Sequence, residues 1–262
     1  MSDRLLQAGL RSIYIFFYSI SLMPLRDWLR FWFTFPPYIE ISLNKIVMSI
    51  RTTSLMTKTV DLYMAVSCII WQQYEHPEYK IDRESVVLDI GGHIGSFALW
   101  ASRSAGKVVV FEPERDNFEA LKRNIRNNPA NNITAVNQAV SAKTGQINLF
   151  RNKVNSAAHS VLSTSSEAMK VDSISLDDIF KRYEIATCHF MKMDCEGAEF
   201  DIITGASLET LRKIQRISME YHEGYNLDDL LAKLRAVGFE ITKKHQDTSY
   251  QGQIWARLTV LK

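Results

Sequence analysis

VVLDIGGHIG at Val86–Gly95, followed by KVVVFEP at Lys107–Pro113, decides how the rest of the chain is read. A short apolar run ends in an acid and a glycine cluster; a second β-rich run ends in Glu112, 21 residues after Gly91. Glycines let a strand turn sharply into a helix and let a ligand approach the main chain. The N-terminus of the helix that follows would offer N–H groups to polar atoms. An acid about 20 positions on, at the tip of the next strand, can bind two ribose hydroxyls. The pattern implies a nucleoside-containing cofactor.

Two such cofactors compete. The dinucleotide fingerprint is G-x-G-x-x-G, whose middle glycine admits a pyrophosphate. This chain reads Asp89-Ile90-Gly91-Gly92-His93-Ile94-Gly95, with a carboxylate two residues before the first glycine. An anion there repels a pyrophosphate and attracts a cationic sulfonium. That sign argument favours S-adenosylmethionine over NAD, with Asp89, Gly91, Gly92, His93, Gly95, Glu112 and Pro113 as binding candidates.

Working outward, strands and helices alternate. Strand Val86–Ile90 leads to helix Ser96–Arg103, and strand Val108–Glu112 to a helix opened by Asp116 with Glu119 as a capping box. Ile133–Val140 is a third strand, and Ile147–Arg151 with Ser160–Thr164 an inserted hairpin. Helix Ser175–Tyr183, strand His189–Asp194, strand Ile217–Tyr221 and helix Leu227–Val237 follow. Only Gln246–Gly252 separates the last two strands, Phe239–Lys244 and Gln253–Val260, so they must be antiparallel. The expected fold is α/β: a class I methyltransferase (Rossmann-like), seven-stranded, mostly parallel sheet with one antiparallel strand, plus an N-terminal helical arm. Before the glycine loop, Tyr38–Ile50 reads as a hairpin around Asn44-Lys45, and Thr59–Tyr74 as a helix. Two parts result, an arm over residues 1–37 and a methyltransferase domain over 38–262.

The arm is unusual. Between Arg11 and Arg26 lie 14 uncharged residues, followed by Trp28, Phe31, Trp32, Phe33 and Phe35. A spanning helix needs roughly 17–25 apolar residues, so the run is short. No small-residue cleavage site follows it. It reads as a helix in a membrane interface, or as an arm packed on the domain or on another subunit. Pro36-Pro37 ends it. With 46% hydrophobic residues in 262, the chain can bury a full core. A net charge of +2 without a dense basic run argues against nucleic acid. Three cysteines at unrelated spacings give no disulfide framework and fit a reducing cytoplasm, with the inner membrane face open as a peripheral address.

Ligands in such a sheet bind outside the carboxyl ends of the strands. The tips carry Asp89 and the glycines, Glu112-Pro113, Asn137-Gln138-Ala139, Asp194-Cys195-Glu196-Gly197 and Glu220-Tyr221-His222. Gln138 and Ala139 are assigned to the adenine edge. Asp194, Glu196, Glu220 and His222 are assigned to acceptor chemistry, with Asp194 also beside cofactor.

Taken in order, VVLDIGGHIG, VVVFEP, VDSISLDDIF, FMKMDCEGAEFDIITGA and ISMEYH resemble the FkbM family of S-adenosylmethionine-dependent methyltransferases. The likeness covers roughly Tyr38 to Leu261, and Lys192–Glu199 resembles the family's K-x-D-x-E-G-x-E segment. The resemblance implies O-methylation of a hydroxyl on a sugar, glycan, glycolipid or natural product. His93 departs from it, since asparagine is common there, and nothing in the family pattern covers the arm. His222 is the favoured general base, because imidazole titrates near neutral pH. Asp194, Glu196 and Glu220 could orient it, replace it, or hold a divalent ion such as magnesium. An NAD-dependent sugar oxidoreductase would by resemblance want Tyr-x-x-x-Lys, which is absent; a non-catalytic membrane-associated cofactor-binding protein is the other alternative. Oligomeric state is left open.

Overall fold

The computed structural model describes residues 2–76, 80–150, 168–222, 227–248 and 251–259. Helices α1 (Ser2–Tyr18) and α2 (Leu25–Phe33) form the arm. Strands β1 (Tyr38–Leu43) and β2 (Ile46–Arg51) form the expected hairpin. Asn44 and Lys45 both hold positive φ, 47° and 67°, as a two-residue hairpin turn with a matching twist requires. Helix α3 spans Leu55–Ile69 rather than Thr59–Tyr74. It starts early because the Ser54 side chain accepts from the Thr57 amide, and the chain turns at Gln72, φ 51°.

The alternating part runs β3 (Val86–Ile90), α4 (Ser96–Ser102), β4 (Lys107–Phe111), α5 (Arg115–Arg126) and β5 (Ile133–Val136). Glu114, not Asp116, caps α5 by accepting from the Asn117 amide, while Glu119 pairs with Lys122. The third strand breaks at Asn137: β6 (Ala139–Val140) leaves the main sheet and joins β7 (Gly145–Phe150) and β8 (Ala168–Ile174). The partner of β7 is thus β8; Ser160–Thr164 lies outside the described residues. Then come α6 (Leu176–Arg182), β9 (Phe190–Met193), α7 (Glu199–Gly205), α8 (Leu208–Leu211), β10 (Arg216–His222), α9 (Leu227–Val237), β11 (Phe239–Thr248) and β12 (Gln251–Leu258).

The central sheet has the order β11-β12-β10-β9-β3-β4-β5, with β12 antiparallel to both neighbours and the other pairings parallel. Alternation splits its residues between two cores. Val87 and Phe190 face α3, α4 and the arm, whereas Leu88, Ile90, Met191 and Met193 face α6, α7 and α9. The arm packs into the first core through Ile15, Trp28, Phe31 and Trp32. Both indoles donate to Ser19 Oγ at 2.9 Å, and the buried Lys58 ammonium donates to the Phe31 and Thr34 carbonyls at the end of α2.

Arg51 ties the hairpin to the body. Its Nε and Nη2 donate to Asp61 of α3 at 2.9 and 2.7 Å, and its Nη1 donates to Asn117 of α5 at 2.8 Å. Both ions are buried. Burial pushes Asp61 up and would lower Arg51, but the fork of hydrogen bonds and the attraction of Asp61 hold the guanidinium charged. Arg51→Met would strand a buried carboxylate. We expect it to lose about 3–5 kcal/mol of stability by urea denaturation. A loss under about 1 kcal/mol would show that Asp61 is compensated elsewhere.

Candidate active site

The three loop glycines have different tasks. Gly91 (φ 82°) has no room for a side chain: a Cβ would lie 1.8 Å from the Asp194 carbonyl oxygen. The turns after β3 and β9 therefore touch. Gly92 and Gly95 close the loop on β4 and α5 instead, where a Cβ would meet Val110 at 2.2 Å and Leu121 at 3.2 Å. Of the three, Gly91 lines the cleft. The Gly91 and Gly92 amides donate to the Phe111 carbonyl, Gly95 to Gly92, and His93 to Glu112. Those amides are taken up by the end of β4 and by the loop, so they do not serve as a phosphate cradle.

Glu112 closes β4 as the acid expected at the ribose. Its Oε2 accepts from the His93 amide at 2.7 Å; its Oε1 accepts from the Glu114 amide at 2.9 Å and from Asn117 Nδ2 at 3.3 Å. Burial pushes its carboxyl up to about 7, against the pull of those donors. The Asn137 amide donates to the Glu112 and Pro113 carbonyls and fixes the strand end. His93 lines the cleft, with Nε2 3.2 Å from Arg51 Nη2. Its φ of 47° lies in the left-handed region, where glycine and asparagine are at home.

Asp89 lies beneath the cleft rather than on its wall, fully buried and aligned with Lys192 on β9. Lys192 Nζ stands 3.2 Å from Asp89 Oδ1, donates to the Gly91 carbonyl at 2.6 Å, lies 4.0 Å from Asp194 Oδ2, and sits over the Tyr74 ring. Burial pushes the Asp89 carboxyl up, against the pull of Lys192 and of the Ala98 amide. Desolvation opposes the Lys192 charge, but Asp89 and Asp194 outweigh it and hold the pKa above the ordinary lysine range. The Tyr74 hydroxyl donates to Asp194 Oδ2 at 2.8 Å; burial and the charge of Asp194 push its pKa up and keep that proton in place.

The next turn, Asp194–Ala198, forms the opposite wall. Glu196 (φ 53°) and Gly197 (φ 106°) both take left-handed backbone. Glu199 makes this shape stable: its fully buried carboxylate accepts from the Cys195 amide at 3.0 Å and the Gly197 amide at 2.9 Å. From sequence, Glu199 has no role beyond the end of the Lys192–Glu199 segment. The usable signal was Ile202, Ile203 and Ala206 at i+3, i+4 and i+7, which place it on the buried face. Tyr74 had no signal of its own.

These elements enclose a cleft of about 630 Å³, counting solvent at its mouth. One part of the wall is apolar, with Ile90, Phe111, Ala139, Val140 and Leu149; Met64 of α3 adds to it. Glu112, Asp194 and Glu196, with His93 and Asn117, make the polar part, and no Lys or Arg is among the described lining residues. Gln138 points away, its Oε1 accepting from Arg182. Glu220 lies close enough to Tyr74 to raise its pKa, and is not among the lining residues. His222 ends β10, and its side chain lies outside the described residues. Asp194, Glu196 and Glu220 do not converge on a metal-binding geometry; among the described residues no three His, Cys, Asp or Glu do.

The cleft fits S-adenosylmethionine. It pairs an apolar slot suited to a purine with an acid at the ribose strand and carboxylates for a cationic amino-acid portion, and its loop amides leave no pyrophosphate nest.

The sequence model of the methyltransferase FkbM domain matches residues 89–241. The hexuronic acid methyltransferase AglP of Haloferax volcanii is 27% identical over 174 residues, covering 65% of this chain and 71% of that protein. The crystal structure of methyltransferase FkbM from Methylobacillus flagellatus superposes with a TM-score of 0.51 and 18% identity, over 77% of this chain. The chain spans 54% of that longer protein, and the likeness speaks for the fold.

The raised pKa of Glu112 carries a sign. Folding disfavours its ionised form, so its contribution to stability declines as pH rises from 4.5 to about 7. Ribose hydroxyls donating to the carboxylate favour ionisation, so nucleoside binding and protonation oppose each other. Affinity for S-adenosylhomocysteine should therefore fall as pH drops through 7, by up to about tenfold per unit, and Glu112→Gln should flatten the profile. Calorimetry across that range checks it; a flat wild-type profile removes Glu112 from the ribose.

Proposed function

The chain belongs to the FkbM methyltransferase family, and on that premise we propose that it O-methylates a sugar hydroxyl, on a uronic-acid-containing glycan or glycolipid. The acidic cleft wall carries the choice of a hydroxyl. A uronate carboxylate entering as nucleophile would meet Asp194 and Glu196 with no Lys or Arg among the described lining residues to balance it. A neutral hydroxyl meets no such repulsion and needs the base that these strand tips can provide. The Haloferax relative, a hexuronic acid methyltransferase, supports the sugar class.

Bound in the cleft, S-adenosylmethionine supplies an electrophilic methyl group. Glu112 would hold the ribose, the Ile90, Phe111, Val140 and Leu149 surface the purine, and Asp194 with Glu196 the cationic tail. Tyr74 keeps Asp194 fixed by its hydrogen bond. His222, at the end of β10, takes the proton that the acceptor hydroxyl loses. Holding the acceptor oxygen in line supplies much of the acceleration, and the base adds the rest.

His222→Ala should lower turnover by about 10²–10⁴ while leaving S-adenosylhomocysteine affinity nearly unchanged. The wild-type rate should rise with pH through about 6.5, the ordinary range of histidine. A mass-spectrometric screen of uronic-acid glycans and glycolipids for a methyl gain identifies the acceptor. The product should survive mild alkali as an ether; alkaline loss of the methyl would mark an ester and overturn the hydroxyl reading. Normal turnover in the histidine variant would move the base to Asp194 or Glu220.

A further inference from the structure

We propose that the outward face of α1 and α2 rests on the surface of an anionic lipid bilayer. The arm is not a loose tail: its inner face is buried through Ile15, Trp28, Phe31 and Trp32. Its outer face carries large apolar side chains as well. Of the eleven large hydrophobic side chains exposed among the described residues, nine lie between Leu10 and Phe35. On α1 they fall at Leu10, Ile13, Tyr14 and Phe17, one stripe at i, i+3, i+4 and i+7; Phe17 is 64% exposed. On α2 they fall at Leu25, Leu29 and Phe33, again one stripe, with Phe33 67% exposed. A concentration of this kind marks an interaction surface.

Charge selects the occupant. Arg11, Arg26 and Arg30 are exposed among these side chains, against one acid, Asp27, in the described side chains from Leu10 to Pro37. None of the three arginines forms an ion pair among the described residues; Arg11 lies over the Tyr63 ring. A second copy seated on this face would bring its own three arginines against these, with one acid from each copy to balance them. A bilayer lets each apolar stem enter the acyl boundary while the guanidinium reaches lipid phosphate. No described helix is long and apolar enough to cross a membrane, so the arm lies on the surface. Because α1 packs along α3, and Met64 of α3 lines the cleft, docking fixes how far the cleft stands from the lipid. The inference holds whatever the acceptor is.

Flotation of the full chain with phosphatidylglycerol–phosphatidylethanolamine vesicles and with phosphatidylcholine vesicles tests it. Binding to the anionic vesicles should exceed binding to phosphatidylcholine and weaken with salt. Phe17→Glu and Leu29→Glu should each reduce it on the order of tenfold, and Arg26→Gln and Arg30→Gln about fivefold each. These positions are exposed, and unchanged melting temperature and S-adenosylhomocysteine affinity would confirm that each variant folds. A chain that ignores both vesicle types overturns the proposal. So does equal binding to both, or a dimer by light scattering that Phe17→Glu dissociates.

Discussion

A lysine ammonium buried inside a β-sheet is the constraint on which the site depends. An unpaired ion at that depth would cost several kcal/mol, so the fold must surround Lys192 with compensation. Three elements supply it: Asp89 from β3, the Gly91 carbonyl from the turn beyond it, and Asp194 from the end of β9. The price of that burial is also its use, because one cation draws together the turns that face each other across the cleft. Tyr74, five residues beyond α3, completes the cluster by donating to Asp194 and setting its ring against the ammonium. The close approach of Gly91 to the Asp194 backbone is the geometric result.

A second network does for the ribose side what Lys192 does for the opposite wall. Arg51, Asp61, Asn117 and Glu112 form a continuous chain of buried hydrogen bonds from the hairpin to the tip of β4. Arg51, Asp61, Met64 and Tyr74 all precede the region matched by the family, which begins at residue 89. The hairpin and α3 are therefore part of the site's framework. Buried networks of this kind rigidify a site when every member finds its partner.

The sheet was legible because its signals are local. Alternation, glycine turns and the short Gln246–Gly252 connection give the run of strands and the antiparallel last pair without any knowledge of contacts. Asp194 and Glu196 were legible for the same reason, as acids at a strand tip. Long-range geometry was not. Asp89 reads as a cofactor-facing anion until Lys192, 103 positions away, is seen beside it. Gln138 reads as an adenine contact until the strand breaks at Asn137 and turns it toward Arg182. Asp116 fits a capping box, yet Glu114 wins because the chain turns just after Pro113. For Asp89 and Gln138 the residue type was right for its apparent task, and a partner remote in sequence reassigned it.

The cysteines lead somewhere else. Burial pushes the thiols of Cys68 and Cys188 up to about 12, and burial together with the charges of Glu199 and Asp194 raises Cys195 well above its ordinary value. Only a thiolate reacts readily, and Cys68 and Cys188 are buried as well, whereas Cys195 is partly exposed at the cleft. They sit in α3, at the entry to β9, and in the turn that walls the cleft. The alkylation rates of the two buried thiols thus become internal clocks, each recording how often its own part of the molecule opens.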